Sequence, residues 1–270
     1  MTVAMLVDTT VCTGCRGCQV ACKQWWDLPA EKTENRGSHE NPPDLSASTW
    51  TRVTFHEVEQ GEDVRWFHMA WGCVHCTDAG CVAVCPTGAL ARDAKLGIVT
   101  LDRARCNGCG YCVEACPFGV PRLEASLLTG RGKATKCNFC QDRITNDLLP
   151  ACVKTCPTGA IRFGERSDMV ALGQKRVERL KQDGLDQARL YGDTELGGLG
   201  RMFVLGAPAA AYRLPEEPKV SRTIGLWQKA VQPLGKIAVV GTVVGLAVNW
   251  FVNFRSRRNG KVAPEQTEER

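Results

Sequence analysis

The sequence predicts an α+β chain of two nested units, each built on two sets of four cysteines, followed by a C-terminal helix long enough to cross a bilayer. Three observations carry this. All 16 cysteines of the 270 residues fall into four quartets. Hairpin signals stand between the quartets, and the fragment Pro-Thr-Gly-Ala recurs at 86–89 and 157–160, which marks an internal repeat. Residues 234–254 carry a single charge, Lys236.

The third quartet is the plainest. Cys106, Cys109 and Cys112 stand two residues apart on a Gly-containing loop, and Cys116 follows after three residues with Pro117 behind it. This is the bacterial two-cluster ferredoxin run, in which three thiolates wrap one [4Fe-4S] core and the fourth ligates another. Cys12, Cys15, Cys18 and Cys22 repeat the spacing; Cys73, Cys76, Cys81 and Cys85 add two residues, and Cys137, Cys140, Cys152 and Cys156 a longer insertion. The adjacent second and third quartets pair with each other: Cys73, Cys76 and Cys81 with Cys116, and Cys106, Cys109 and Cys112 with Cys85. The first and fourth then pair around them: Cys12, Cys15 and Cys18 with Cys156, and Cys137, Cys140 and Cys152 with Cys22. One ferredoxin-like two-cluster unit (73–117) is thereby inserted into another (1–26 with 137–163), and four [4Fe-4S] clusters are expected.

Other uses of cysteine fit less well. A disulfide framework suits secreted domains under about 100 residues. Structural zinc takes two ligands from each knuckle, so a triple C-x2-C-x2-C run exceeds its needs. Charge must be read with the thiolates in mind. The formal +5 becomes about −3 once sixteen thiolates and four cores of about +2 are counted. Apparent basicity therefore does not point to nucleic acid. Cluster loops take much of the length and only 7% of residues are aromatic, so the clusters are expected to replace part of a hydrophobic core.

Residues 1–10 lack a basic stretch followed by an apolar run, so no signal peptide is expected. A short strand is expected over 3–7 and a helical turn over 20–26. Turn residues fill 29–48, an exposed loop. Alternating β-branched and aromatic residues predict a hairpin from 49–58 and 64–70, and a smaller one from 89–92 and 98–101. An amphipathic helix with a Ser or Asp cap is expected over 167–183, with Val170, Val177 and Leu180 inward, and a strand over 202–205. Together 1–206 form the four-cluster domain. Pro208, Pro215 and Pro218 suggest that 207–233 is a stiff linker.

The motifs also carry a family resemblance. Residues 12–22 (CTGCRGCQVAC), 108–112 (GCGYC), 116–122 (CPFGVPR), 150–161 (PACVKTCPTGAI) and 41–50 (NPPDLSASTW) resemble the iron-sulfur beta subunit of membrane-bound formate dehydrogenase. The resemblance implies an electron-transfer subunit that is not catalytic by itself. Its partners would be a molybdopterin catalytic alpha subunit, with molybdenum or tungsten, and a haem b membrane gamma subunit leading to quinone. Relatives that hold a three-iron cluster lack one cysteine; four complete quartets imply four [4Fe-4S] clusters. The same cysteine runs occur in subunits of hydrogenases and of sulfur-compound or other molybdopterin reductases, which is the alternative reading. A zinc-stabilised nucleic-acid module is a third. His39, His56, His68 and His75 are scattered, and no catalytic constellation stands out. Arg16, Lys23, Arg105 and Lys136 adjoin cysteines and are expected to raise cluster potentials.

The tail completes the prediction. At about 1.5 Å per residue, 234–254 reaches about 31 Å, the hydrocarbon thickness of a bilayer. Trp227 and Trp250 flank it. Gly241 and Gly245 would admit a partner helix, and Asn249 and Asn253 would need hydrogen-bond partners in lipid. Arg255, Arg257, Arg258 and Lys261 outnumber Arg222, Lys229 and Lys236, so the polar tail 255–270 is expected in the cytoplasm and the cluster domain on the periplasmic side of the inner membrane. By the same resemblance, a partner bearing a twin-arginine signal would carry the folded chain across.

Overall fold

The computed structural model describes residues 2–61, 63–124, 132–220 and 231–259. Arg222, Trp227, Lys229 and Lys261 lie outside the described residues, as do the side chains of Lys236, Arg255, Arg257 and Arg258. Two compact units are present, Met1–Ser221 and Arg222–Arg270.

The first unit rests on a four-stranded sheet. Its β1 (Val3–Asp8) is a short apolar run with no alternation, as expected of a strand covered on both faces. It pairs antiparallel with β8 (Ile161–Glu165), from Val3 opposite Glu165 to Val7 opposite Ile161. It also pairs in parallel with β10 (Arg201–Leu205), whose outer side takes β9 (Arg189–Tyr191) antiparallel. The first strand thus meets one that follows the last cysteine, and every cysteine lies between them in the chain. Packed on this sheet is α6 (Arg166–Gln182), through Met169, Val170, Val177 and Leu180. Close approach there requires Gly173, where a Cβ would stand 2.7 Å from Leu190 Cδ1. The expected Ser or Asp cap is absent. Glu165, the last residue of β8, is the N-cap and makes no side-chain cap bond, because the strand runs straight into the helix and leaves no loop residue to turn back.

Both expected hairpins form. β2 (Thr51–Gln60) and β3 (Asp63–Gly72) pair along their whole length, from Thr51 opposite Gly72 to Gln60 opposite Asp63. β4 (Leu90–Arg92) pairs with β5 (Val99–Leu101). A further ladder of two residues a side joins β6 (Arg122–Leu123) to β7 (Ala134–Thr135), too short to leave a pattern in sequence.

The segment from 207 differs from a spacer. Ala207, Ala209, Tyr212 and Leu214 are buried, and the compact unit runs to Ser221. Tyr212 Oη accepts the Gly206 N–H at 3.1 Å and shares a hydrogen bond with Thr9 Oγ1 at 2.9 Å. The prolines stiffen a strap across the core. Its ring stands 5.0 Å from His56, which is buried and hydrogen-bonded to Thr54 Oγ1 at 2.7 Å. Burial above all pulls the His56 pKa down to about 4, with Arg213 and Arg52 adding to it against Glu40. The folded state therefore holds a neutral imidazole where the unfolded chain binds a proton below pH 6.5. Stability from this group is complete above pH 6.5 and is lost as pH falls through about 4, by roughly 3 kcal/mol. His56→Gln should flatten that part of the pH profile of the thermal midpoint; an unchanged profile would assign the acid sensitivity elsewhere.

The second unit contains α7 (Gln232–Asn259). Its window Ile237–Phe254 has a mean hydropathy of 1.8, none of it is buried, and among the described residues it is the one helix long and apolar enough to cross a membrane. Asn253 Nδ2 donates to Asn249 Oδ1 at 2.7 Å, so the two amides satisfy each other in part, while Asn249 Nδ2 and Asn253 Oδ1 still call for partners. Nothing lies within 4 Å of a Cβ placed at Gly241 or Gly245.

Candidate metal centres

All four cysteine runs share one backbone device. Two residues after the first cysteine the chain turns left-handed, at Gly14 (φ 67°), His75 (φ 50°), Gly108 (φ 72°) and Phe139 (φ 59°). Such turns gather successive N–H groups on a concave side and make an anion-binding nest of the kind found at Fe–S sites. Glycine adopts this without strain. His75 and Phe139 carry side chains there, held by burial and by mutual packing at 4.7 Å between ring centroids.

Each third cysteine sits in a short helix: Cys18 in α1 (Gly17–Trp25), Cys81 in α2 (Gly80–Ala83), Cys112 in α3 (Tyr111–Glu114) and Cys152 in α5 (Ala151–Lys154). A further turn, α4 (Gln141–Ile144), follows Cys140. Pro86, Pro117 and Pro157 prevent continuation past the fourth cysteine. Gly88, Gly119 and Gly159 then donate N–H to the carbonyls of Cys85, Cys116 and Cys156 at 3.3, 3.0 and 3.3 Å. Lys23 stands where the others have Pro, and α1 runs on to Trp25.

The thiols converge across the quartets. Cys85, Cys106, Cys109 and Cys112 line one cavity with about 310 Å³ of empty space, walled by Leu90, Leu101, Leu123 and Ala134. Cys73, Cys76, Cys81 and Cys116 line another of about 370 Å³. The Cys12 thiol faces Cys156 and Cys15, and Cys22 faces Cys137, Cys152 and Cys140. Thiols of different sets also act on one another electrostatically, Cys18 with Cys152, Cys73 with Cys137 and Cys81 with Cys112, so each set has another beside it. Cys15 and Cys109, in the first and last sets, are exposed, whereas Cys22, Cys73, Cys137, Cys140 and Cys152 are buried.

Electrostatics define what these sets can hold. Burial, with neighbouring thiols adding to it, pushes Cys18, Cys81 and Cys140 up to about 12 and Cys112 to about 11. Burial pushes Cys152 to about 11 against the charge of Arg201. As thiolates these groups need a cationic core beside them. Donors for sulfur are already in place: Cys85, Cys106 and Cys137 Sγ accept the N–H of Leu90, Ala134 and Phe139 at 3.4, 3.4 and 3.3 Å. At Cys85, burial is outweighed by the donors of Leu90, Thr87 and Ala89, and its pKa falls. Among the described residues no three His, Cys, Asp or Glu side chains come close enough to ligate one metal ion. Thiols that converge on a common space suit a multi-iron core with sulfide corners.

Two buried donors point the same way. His75 Nδ1 accepts the Val99 N–H at 3.1 Å, which puts the proton of the neutral ring on Nε2, and Nε2 is buried with no hydrogen-bond partner. Burial first, then the charges of Lys136 and Arg201, hold its pKa well below the usual range. Arg201, which no sequence motif marks, has all three guanidinium nitrogens buried without hydrogen-bond partners among the described residues. Sulfur acceptors of a cluster would satisfy both, so the residues present fit the group. Of the flanking cations expected to tune clusters, Lys136 is buried, with Nζ on the carbonyls of Val99 and Cys137. Lys23 is engaged by the Ser48 and Pro29 carbonyls at 2.7 and 3.1 Å, Arg16 by the His39 carbonyl, and Arg105 is exposed. His39 and His68 pack on Phe55, and His68 lies beside the first quartet, where its Nδ1–H donates to the Cys12 carbonyl at 3.0 Å and its ring stands against Gly14.

Two models of the 4Fe-4S dicluster domain match, over residues 64–166 and 11–89. The iron-sulfur subunit of the nitrate-inducible formate dehydrogenase of Escherichia coli (strain K12) is 40% identical over 253 residues, covering 92% of this chain and 84% of the relative. The chain belongs to the family of formate dehydrogenase iron-sulfur subunits. The formate dehydrogenase-O iron-sulfur subunit of the same organism is 43% identical over 244 residues, 89% of this chain and 80% of the relative. The hydrogenase-2 operon protein HybA of Escherichia coli O157:H7 is more distant, 32% identical over 241 residues, 78% of this chain and 72% of its own. Members of this family carry 4Fe-4S dicluster domains and belong to formate dehydrogenase complexes, and the dicluster matches together with 16 cysteines identify this chain as an iron-sulfur protein.

Proposed function

We propose that the chain is the electron-transfer subunit of a membrane-bound formate dehydrogenase. It would take electrons from formate oxidised at a molybdopterin catalytic alpha subunit and deliver them to a haem b gamma subunit and quinone. The observation that carries this is the 40% identity to a formate dehydrogenase iron-sulfur subunit over 92% of the chain, and it is supported by four cysteine sets that would stand in series with the exposed Cys15 and Cys109 towards the ends. Four [4Fe-4S] clusters would be held by Cys12, Cys15, Cys18 and Cys156; by Cys22, Cys137, Cys140 and Cys152; by Cys73, Cys76, Cys81 and Cys116; and by Cys85, Cys106, Cys109 and Cys112. The nested reading, 73–117 inside 1–26 with 137–163, is supported by β1 pairing with β8 across everything between. When bound, each cluster exchanges one electron without proton chemistry. The chain supplies the rest: thiolates that hold each core, nest N–H groups that stabilise added negative charge, and apolar walls that keep water from the inner sets.

The exposed α7 is read as a single membrane span over 234–254 that packs on the gamma subunit. The cluster domain would face the periplasm, with the C-terminus in the cytoplasm. Adding formate to the anaerobic complex should reduce the clusters, seen as paramagnetic signals that hydrogen does not evoke. Reduction by hydrogen and not by formate would move the chain to the hydrogenase reading, for which the HybA relationship is the supporting observation.

A further inference from the structure

Arg201 begins β10, in the interior of the sheet, and is 1% exposed. Its backbone is ordinary: its N–H donates to the Val74 carbonyl at 3.0 Å. Its side chain is not. Nε, Nη1 and Nη2 are all buried, and among the described residues none has a hydrogen-bond partner and no carboxylate pairs with the side chain. A buried guanidinium serving only to fill the core would be expected to find carbonyls or a carboxylate, because it has five N–H donors and cannot discharge.

Its surroundings are sulfur. The thiols of Cys137, Cys152 and Cys22, from one converging set, and of Cys73, from the next, are the charges that bear on it. Space for the fork is left by Gly72, immediately before Cys73, where a Cβ would stand 2.5 Å from Arg201 Nη1. A fixed positive charge with open donors thus sits among cysteines of neighbouring sets, with the Trp50 carbonyl and Thr51 hydroxyl nearby but not hydrogen-bonded to it among the described residues.

We infer that Arg201 sets the reduction potential of the cluster held by Cys22, Cys137, Cys140 and Cys152, by donating N–H to its sulfurs. The inference rests on the cluster reading given above. One electron enters the cluster and no proton moves: with four thiolates its charge passes from −2 to −3, while the guanidinium stays protonated and stabilises the more negative state. The electron would come from a neighbouring cluster, in the set of Cys73 or in that of Cys18. Arg201 is therefore a positioning residue for charge, not a ligand.

The test uses the full chain in its complex, with iron and sulfide counted before a redox titration followed by EPR. Arg201→Gln should keep the iron and lower one midpoint by a factor of ten or more in the reduction equilibrium, about 59 mV for a one-electron couple. Arg201→Lys keeps the charge without the fork and should lower it by less. Full iron with every midpoint unchanged in Arg201→Gln would overturn the assignment. If Arg201→Gln fails to load, wild-type chain labelled with 15N-arginine decides. Pulsed EPR should find arginine nitrogen coupled to a reduced cluster, a signal lost in Arg201→Lys, and its absence from the wild type would overturn the assignment equally. A wild-type chain without iron would instead refute the cluster reading itself.

Discussion

Removing iron by chelation under reducing conditions should abolish the cooperative thermal transition of the cysteine-bearing unit. Between β1 and β8, apart from α1 and the β2–β3 hairpin, the chain has little regular structure of its own. α2, α3, α4 and α5 are four residues each, and β6 and β7 only two. Helices so short do not persist without outside support. Part of the core is sulfur: Cys18, Cys22, Cys73, Cys137 and Cys152 pack within the main apolar cluster, and Cys112 within a smaller one with Leu90, Val99 and Ala134. Without iron these groups revert to neutral thiols that hold no loop to another, while Arg201 and His75 Nε2 keep buried donors with no acceptor. Binding free energy at such sites is folding free energy. Calorimetry of the stripped chain should show no transition; one unchanged in midpoint and enthalpy would mean that the sheet and α6 suffice.

Cysteine substitutions should divide by position along the series. Cys152→Ala lies where two sets meet, 6% exposed in α5, beside Cys18 and Cys137. It removes a ligand, leaves a void and takes one core from the interior. The expected loss is more than about 4 kcal/mol, at the extreme of single-residue effects, with iron falling from about sixteen per chain to about twelve or fewer. Formate-driven electron delivery should stop, because the gap lies within the series. Cys109→Ala, at an exposed corner, should cost less stability and confine its loss to one end set. Denaturant titration with iron analysis separates the two, and equal costs would contradict the serial arrangement.

What could be read in advance follows from the range of each signal. A cysteine spacing is local and chemically demanding, so the runs at 12–22 and 106–116 announced their turns, their short helices and the need for a partner run. β1, both hairpins, α6 and β10 were legible because apolar periodicity is local too. The strap at 207–214 was misread as a spacer: prolines report stiffness but not what a stiff segment packs against, and Tyr212 is buried by contacts with Thr9 and His56 far back in the chain. The cap of α6 was misplaced because Ser167 and Asp168 have the right chemistry, while β8 leaves no turn in which to use it. Arg201 gave no signal at all. It stands 45 residues after Cys156, at the edge of an apolar strand, and only the fold brings it to sulfur. Of the flanking cations, Arg16 and Lys23 bond carbonyls and Arg105 is exposed, whereas Lys136 is buried and its charge bears on the Cys73 and Cys81 thiols.

Everything rests on distant segments jointly enclosing iron and sulfide. Elemental analysis of the purified full chain tests this most directly. About sixteen iron and about sixteen acid-labile sulfide per chain are predicted, four of each for every cysteine set. Zinc without sulfide, in a colourless protein, would contradict it.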